Sequence, residues 1–128
     1  KGADRAVEII TQALSNSDLE TLESLLSKNL FADFKKKIET AKAKSRVFKS
    51  SLIAINKKEI VNEQLKGAYI FVDIEFETEQ INFIENQEGK VISGSKNEIE
   101  NVKEIWSFRK EKSAENTAWK IVGITNIE

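Results

Sequence analysis

The sequence predicts an α+β fold, with N-terminal helices packed on a curved antiparallel sheet, and three observations carry that prediction. Apolar residues recur at intervals of three and four through the first third of the chain. From Val47 onward the interval changes to two. At the end, Ile105-Trp106-Ser107-Phe108-Arg109 and Ala118-Trp119-Lys120-Ile121-Val122 form two strand-length runs around a polar segment from Lys110 to Thr117, which reads as a hairpin loop. Both tryptophans of the protein lie in this unit, so the closing strands are expected to wrap around an apolar interior.

Each element follows from local pattern. Ala3, Ala6, Val7, Ile10, Ala13 and Leu14 make one stripe on a first helix. Asn16-Ser17-Asp18 interrupts it, and Ser17 with Glu20 has the spacing of a capping box for a second helix that buries Leu19, Leu22, Leu25 and Leu26. Ser27 or Asn29 caps a third helix carrying Leu30, Phe31, Phe34, Ile38 and Ala41 on one side. Val47 to Ile55 reads as a strand, with a weaker continuation through Val61, and Gly67 marks a turn. Beyond it Ala68, Ile70, Val72, Ile74 and Phe76 alternate with Tyr69, Phe71, Asp73, Glu75 and Glu77. Asn86-Gln87-Glu88-Gly89 is a hairpin turn between Ile81-Phe83 and Val91-Ile92. Ile99 to Lys110 and Ala118 to Ile127 supply the last two strands.

Composition narrows the function. At 128 residues the chain reads as one domain over 1–128, able to bury about two-thirds of its unfolded surface. A net charge of −1 provides no global attraction to nucleic acid or anionic lipid, so any such attraction has to be local. There is no cysteine for thiolate chemistry and no histidine, the commonest general base near neutral pH and the commonest zinc ligand. No methionine is present even at position 1, which is the expectation for a processed or excised piece of a longer protein. No apolar run approaches the roughly 20 residues of a membrane span.

Three groups of residues remain as candidates. Tyr69 and Asp73 are the most plausible acid–base pair, with Asp33 as a further carboxylate. Their alternation opposite Ile70, Val72, Ile74 and Phe76 places Tyr69 and Asp73 on a solvated strand face. No glycine-rich phosphate loop, metal-ligand spacing or nucleophile elbow occurs. The second group is basic: Lys35-Lys36-Lys37, then Lys42, Lys44, Arg46 and Lys49, opposite Phe31, Phe34 and Ile38. That is the pattern of a helix lying on an anionic membrane, and, as the simpler reading, of a solvated helix packed on the sheet with Glu39 pairing to Lys35. Nucleic acid is a poorer fit, because no aromatics interleave the run from Lys35 to Arg46 and the whole chain is slightly acidic. The third group is apolar. Val72, Phe76, Trp106, Phe108 and Trp119, with Phe34 from the third helix, are the expected lining of a pocket in a curved sheet, or else plain core. Helix one, through Val7, Ile10 and Leu14, either packs on that sheet or leaves it to enter lipid or a partner.

Several segments together resemble a known family. Gly2-Ala3, Ala6-Val7-Glu8-Ile9-Ile10, Ala13-Leu14-Ser15 and Leu22-Glu23-Ser24-Leu25-Leu26-Ser27 resemble its helical opening. Leu52-Ile53-Ala54-Ile55 with Glu59-Ile60-Val61 resembles its first strand, and Phe76-Glu77-Thr78-Glu79-Gln80-Ile81 with Gly89-Lys90-Val91-Ile92-Ser93-Gly94 its central strands. Trp106-Ser107-Phe108-Arg109 and Trp119-Lys120-Ile121-Val122 resemble its ending. The family is the C-terminal domain of the forty-four-kilodalton subunit of the translocase of the inner mitochondrial membrane, and the bacterial branch matches best. Where bacterial members often carry Asp-Pro-Asn before the second tryptophan, this chain has Glu115-Asn116-Thr117-Ala118.

The resemblance implies a cone-shaped fold of the nuclear transport factor two-like (cystatin-like) type with an apolar pocket. It also implies a non-enzymatic scaffold or tether attached peripherally to the inner (cytoplasmic) membrane of a bacterium, or to the matrix side of the mitochondrial inner membrane in a eukaryote. Anionic, cardiolipin-type lipid and proteins of a membrane complex are the implied partners; no cofactor, metal or nucleic acid is implied. On this reading Lys35, Lys36, Lys42 and Arg46 attract headgroups, and Val7, Ile10 and Leu14 supply the hydrophobic contact. The competing reading is a small-ligand binder or enzyme that uses the pocket, since one fold hosts many functions.

Overall fold

The computed structural model describes residues 2–113 and 119–127. Three helices, α1 (Gly2–Asn16), α2 (Leu19–Leu25) and α3 (Lys28–Ala43), precede five strands, β1 (Val47–Lys66), β2 (Tyr69–Glu85), β3 (Val91–Gly94), β4 (Glu100–Glu111) and β5 (Lys120–Asn126). The strands form one curved antiparallel sheet in the order β1-β2-β4-β5, with β3 pairing to β2 past the end of β4. The fold class expected from the change of periodicity is the one observed.

The helix boundaries are set by their caps. Ser17 sits in the left-handed region (φ 54°), and α1 closes through Asp18 N–H to the Ala13 carbonyl (2.8 Å) and Ser17 N–H to the Leu14 carbonyl (3.4 Å). Ser17 is therefore used up in ending α1, and the expected Ser17–Glu20 capping box does not form. Asp18 caps α2 instead, its carboxylate accepting from Thr21 N–H at 3.2 Å and Thr21 Oγ1 at 2.7 Å. Between the two candidates for α3, Ser27 is the cap, accepting from Leu30 N–H at 3.3 Å.

In the sheet, β1 runs for 20 residues to Lys66, well beyond the expected end at Ile55 or Val61. It turns at Gly67 (φ 61°) and pairs with β2 from Lys66↔Tyr69 back to Val47↔Glu85. Bulges at Ile53, Asn56 and Val61 re-phase β1, so that Leu52, Ile55, Ile60 and Leu65 all share the face of Thr78, Ile74 and Ile70 on β2. The Asn86–Gly89 hairpin forms as expected, with Asn86 Oδ1 accepting from Glu88 and Lys90 N–H at 2.9 Å each.

The helices cover one face of the sheet, here the inner face. Val7, Ile10, Ala13, Leu22 and Leu26 meet Ile74, Phe76, Trp106, Phe108 and Ile121 in the core. Phe76 and Trp106 pack edge to face with ring centroids 6.0 Å apart, and the indole N–H donates to Glu104 Oε1 at 3.1 Å. Helix α1 is tied to β1 near both ends: Lys58 Nζ lies 2.9 Å from Asp4 Oδ1, and Ser50 N–H donates to Ser15 Oγ at 3.1 Å. The α2–α3 joint is tied to β5 by the Leu26↔Ile121 bridge and by Ser27 N–H to the Ile121 carbonyl at 2.8 Å.

Candidate functional site

Two regions gather the residues of interest, one apolar and one basic. The apolar region is a cavity of about 560 Å³ between the first turns of α1, the end of α2 and the inner face of the sheet. Val72, Phe108 and Trp119 line it, as their sequence pattern suggests. Phe76 and Trp106 lie deeper in the core, and Phe34 packs half-buried against that core from α3; none of the three lines the cavity. The remaining lining comes from Gly2, Ala3 and Ala6, with Leu25, Ile60, Ile74 and Ile121. The small residues explain why there is space. Along the stripe of α1 the side chains shrink from Ile10 and Val7 to Ala6, Ala3 and Gly2, so the helix fills the sheet at one end and leaves a gap at the other. That decrease in side-chain size was the available sequence signal. At the rim Ile60 is 55 % exposed, which leaves an apolar surface at the edge of the cavity.

Chemically the cavity is a place for apolar groups. Tyr69 and Asp73 lie on the opposite, outer face of β2, out of phase with the buried Ile74 and Phe76. Asp33 is exposed on α3. On the outer face Tyr69 packs against Phe71 (6.2 Å between centroids) and under Arg109 (5.0 Å). Asp73 is followed there by Glu75 and Glu77, and Lys57 lies 3.4 Å from Glu59, 3.4 Å from Glu75 and 3.5 Å from Glu77. These carboxylates, Glu59 first and then Glu75, hold the Lys57 ammonium above its ordinary pKa. Among the described residues no group of three or more carboxylates converges to hold a metal ion.

The basic region is the C-terminal half of α3 and the start of β1. Lys35, Lys36, Lys42 and Arg46 are all exposed. Lys42 and Arg46 line one shallow cleft, and Lys36 and Arg46 line a second beside it; Lys35 lines neither. None of the ion pairs among the described residues involves α3, so the expected Lys35–Glu39 pair is not made. Lys37 instead sits over the Phe34 ring at 5.9 Å. The apolar members of the expected lipid-binding set are elsewhere. Val7 and Ile10 are each 1 % exposed in the core, and Leu14 packs half-buried against it. Glu115, Asn116, Thr117 and Ala118 lie outside the described residues.

Residues 1–126 match the model of the Tim44-like domain family. No curated protein matches the sequence. Among solved structures, the chain is similar to the intermembrane space region of the chloroplast protein ARC6, with a TM-score of 0.67 at 11 % identity, covering 98 % of this chain and 93 % of that one. At that identity the likeness concerns the fold: helices followed by a curved antiparallel sheet. None of the described helices is long and apolar enough to cross a membrane.

Proposed function

The chain belongs to the Tim44-like domain family, and from that membership we propose that it is a non-enzymatic scaffold or tethering domain held peripherally on an anionic membrane. The observation that carries the reading is the basic half of α3, whose lysines have no ion-pair partner among the described residues. A cation within reach of a negatively charged leaflet contributes about 1 kcal/mol, and the contribution falls away within a Debye length of about 8 Å. Lys35, Lys36, Lys42 and Arg46 together are enough to localise a small domain reversibly. Cardiolipin-type lipid, with two phosphates per molecule, is the headgroup we assign, in a bacterial inner membrane or on the matrix side of a mitochondrial one.

The second role belongs to the cavity. Its volume of about 560 Å³ and its apolar lining suit an acyl chain or an apolar side chain of a protein partner in a membrane complex. That same lining disfavours catalysis there, because Tyr69 and Asp73 stand on the other face of the sheet. Co-sedimentation with phosphatidylcholine vesicles, with and without cardiolipin, tests the reading. The expected outcome is cardiolipin-dependent binding that weakens with salt and weakens again in a Lys35→Ala, Lys36→Ala double variant. Absence of binding at low salt would remove the membrane from the account and leave the cavity and a protein partner.

A further inference from the structure

Burial of Val7 and Ile10 leaves the membrane reading with charges but no apolar contact, and the structure offers one elsewhere. Helix α3 is closed beyond Ala43 by Ser45, in the left-handed region (φ 58°), with Ser45 N–H on the Lys42 carbonyl (2.9 Å) and Arg46 N–H on the Ala41 carbonyl (2.8 Å). This double closure fixes the direction in which the chain leaves the helix. It sets Arg46 between two adjoining clefts and puts Val47 and Phe48 immediately after them.

The first cleft, about 380 Å³, has Phe48 and Ile84 between the cations Lys36, Lys37, Lys44 and Arg46. Phe48 and Ile84 are cross-strand partners on β1 and β2. The second cleft, about 400 Å³, adds Lys42 and Lys49. Glu85 is the one carboxylate among the described residues of either lining, and Lys96 lies 3.7 Å from it. Six cations therefore line the two clefts: Lys36, Lys37, Lys44 and Arg46 with Phe48, which is 40 % exposed, and Lys42 and Lys49, again with Arg46, beside Val47, which is 37 % exposed. The C-terminal end of a helix carries about half a negative charge, which the six cations outweigh.

A solvated helix end accounts for the lysines and leaves Phe48 and Val47 without a reason to be exposed among them. A surface of phosphate groups with an apolar layer beneath accounts for both. We propose that this α3–β1 corner is the edge of the domain that enters the membrane, with anionic phospholipid headgroups on Lys36, Lys42, Lys44 and Arg46 and the Phe48 ring in the interfacial layer. The proposal rests on the membrane-association reading and moves its hydrophobic contact from α1 to β1, so that α1 stays folded on the sheet when the domain is bound.

The test uses the 128-residue chain with phosphatidylcholine vesicles, with and without phosphatidylglycerol. Phe48→Ala is expected to weaken binding to the anionic vesicles about tenfold, the loss of one partly buried aromatic. Phe48→Trp is expected to bind as the parent does and to show a new fluorescence component. That component should shift to the blue and be quenched by brominated acyl chains once the Trp106 and Trp119 signal of the parent is subtracted. Parent binding with no loss in Phe48→Ala and no quenching in Phe48→Trp would overturn the corner and leave the membrane reading standing. Parent binding to neither vesicle would overturn both. Binding of a single-stranded oligonucleotide in place of vesicles, lost in Lys36→Ala, Arg46→Ala, would overturn the proposal in favour of nucleic acid.

Discussion

Two serines end two helices in a conformation that suits glycine. Ser17 and Ser45 both have positive φ (54° and 58°), and each closes its helix with the same pair of backbone hydrogen bonds. A side chain in this region costs about 1 kcal/mol relative to glycine. Ser45→Gly is therefore expected to raise unfolding free energy by about 1 kcal/mol in urea titrations. The same substitution should leave the basic clefts in place, since the backbone already holds the required angle. Asp18 gives a pH-dependent counterpart. Its hydrogen bonds from Thr21, the hydroxyl first and the backbone N–H second, lower its pKa from 3.8. Because the folded pKa is the lower one, the contribution is complete above the unfolded value and is lost as pH falls through the folded one. Urea titrations between about pH 2 and pH 5 should show a shallower acid-side loss of stability in Asp18→Asn than in the parent.

At the level of elements, β1 and β2 show how the same kind of residue can be legible in one strand and hidden in the next. β2 has strict alternation, and the buried Ile74, Phe76 and Thr78 follow it residue for residue. β1 has no such alternation, because its inward residues Leu52, Ile55, Ile60 and Leu65 are separated by bulges that add Ile53, Asn56 and Val61. A reader of periodicity sees a strand that fades after Ile55, when the strand in fact runs on with three insertions. The consequence can be tested on two isoleucines that flank Ala54. Ile53 is a bulge residue, 48 % exposed, so Ile53→Ser is expected to change stability by no more than about 0.5 kcal/mol. Ile55 packs against the core opposite Thr78, and Ile55→Ser should cost about 2 kcal/mol, read as the shift in urea midpoint. The candidate sites were legible to a similar degree. Runs of lysine mark α3 directly, whereas the cavity depends on small residues at the start of α1, and absent volume has no periodic signature. The exposure of Phe48 was hidden for another reason: an aromatic at the start of a strand is normally core, and only the packing of α3 shows that it is not.

Over the whole molecule, the net charge of −1 conceals a separation of charge that determines how the domain would meet a surface. Asp73, Glu75, Glu77 and Glu79 follow one another along the outer face of β2, with Lys57 reaching Glu75 and Glu77. The basic clefts lie at the other end of the same strand, beside Ile84 and Glu85. Asp73 is twelve residues from Glu85 along β2, which at about 3.3 Å per residue is about 40 Å before curvature is allowed for. Charges are screened over about 8 Å at physiological ionic strength, so a domain docked by its α3–β1 corner holds Asp73 beyond the reach of the headgroups. Asp73→Lys is then expected to change affinity for anionic vesicles by less than about twofold, whereas Lys36→Ala with Lys44→Ala should lower it about thirtyfold at two interactions of about 1 kcal/mol each. Co-sedimentation at fixed salt distinguishes docking by the corner from docking by the sheet. If Asp73→Lys strengthens binding as much as the lysine variants weaken it, the outer face of the sheet must lie against the bilayer. The carboxylates of β2, and not the distance between them and α3, would then set the affinity.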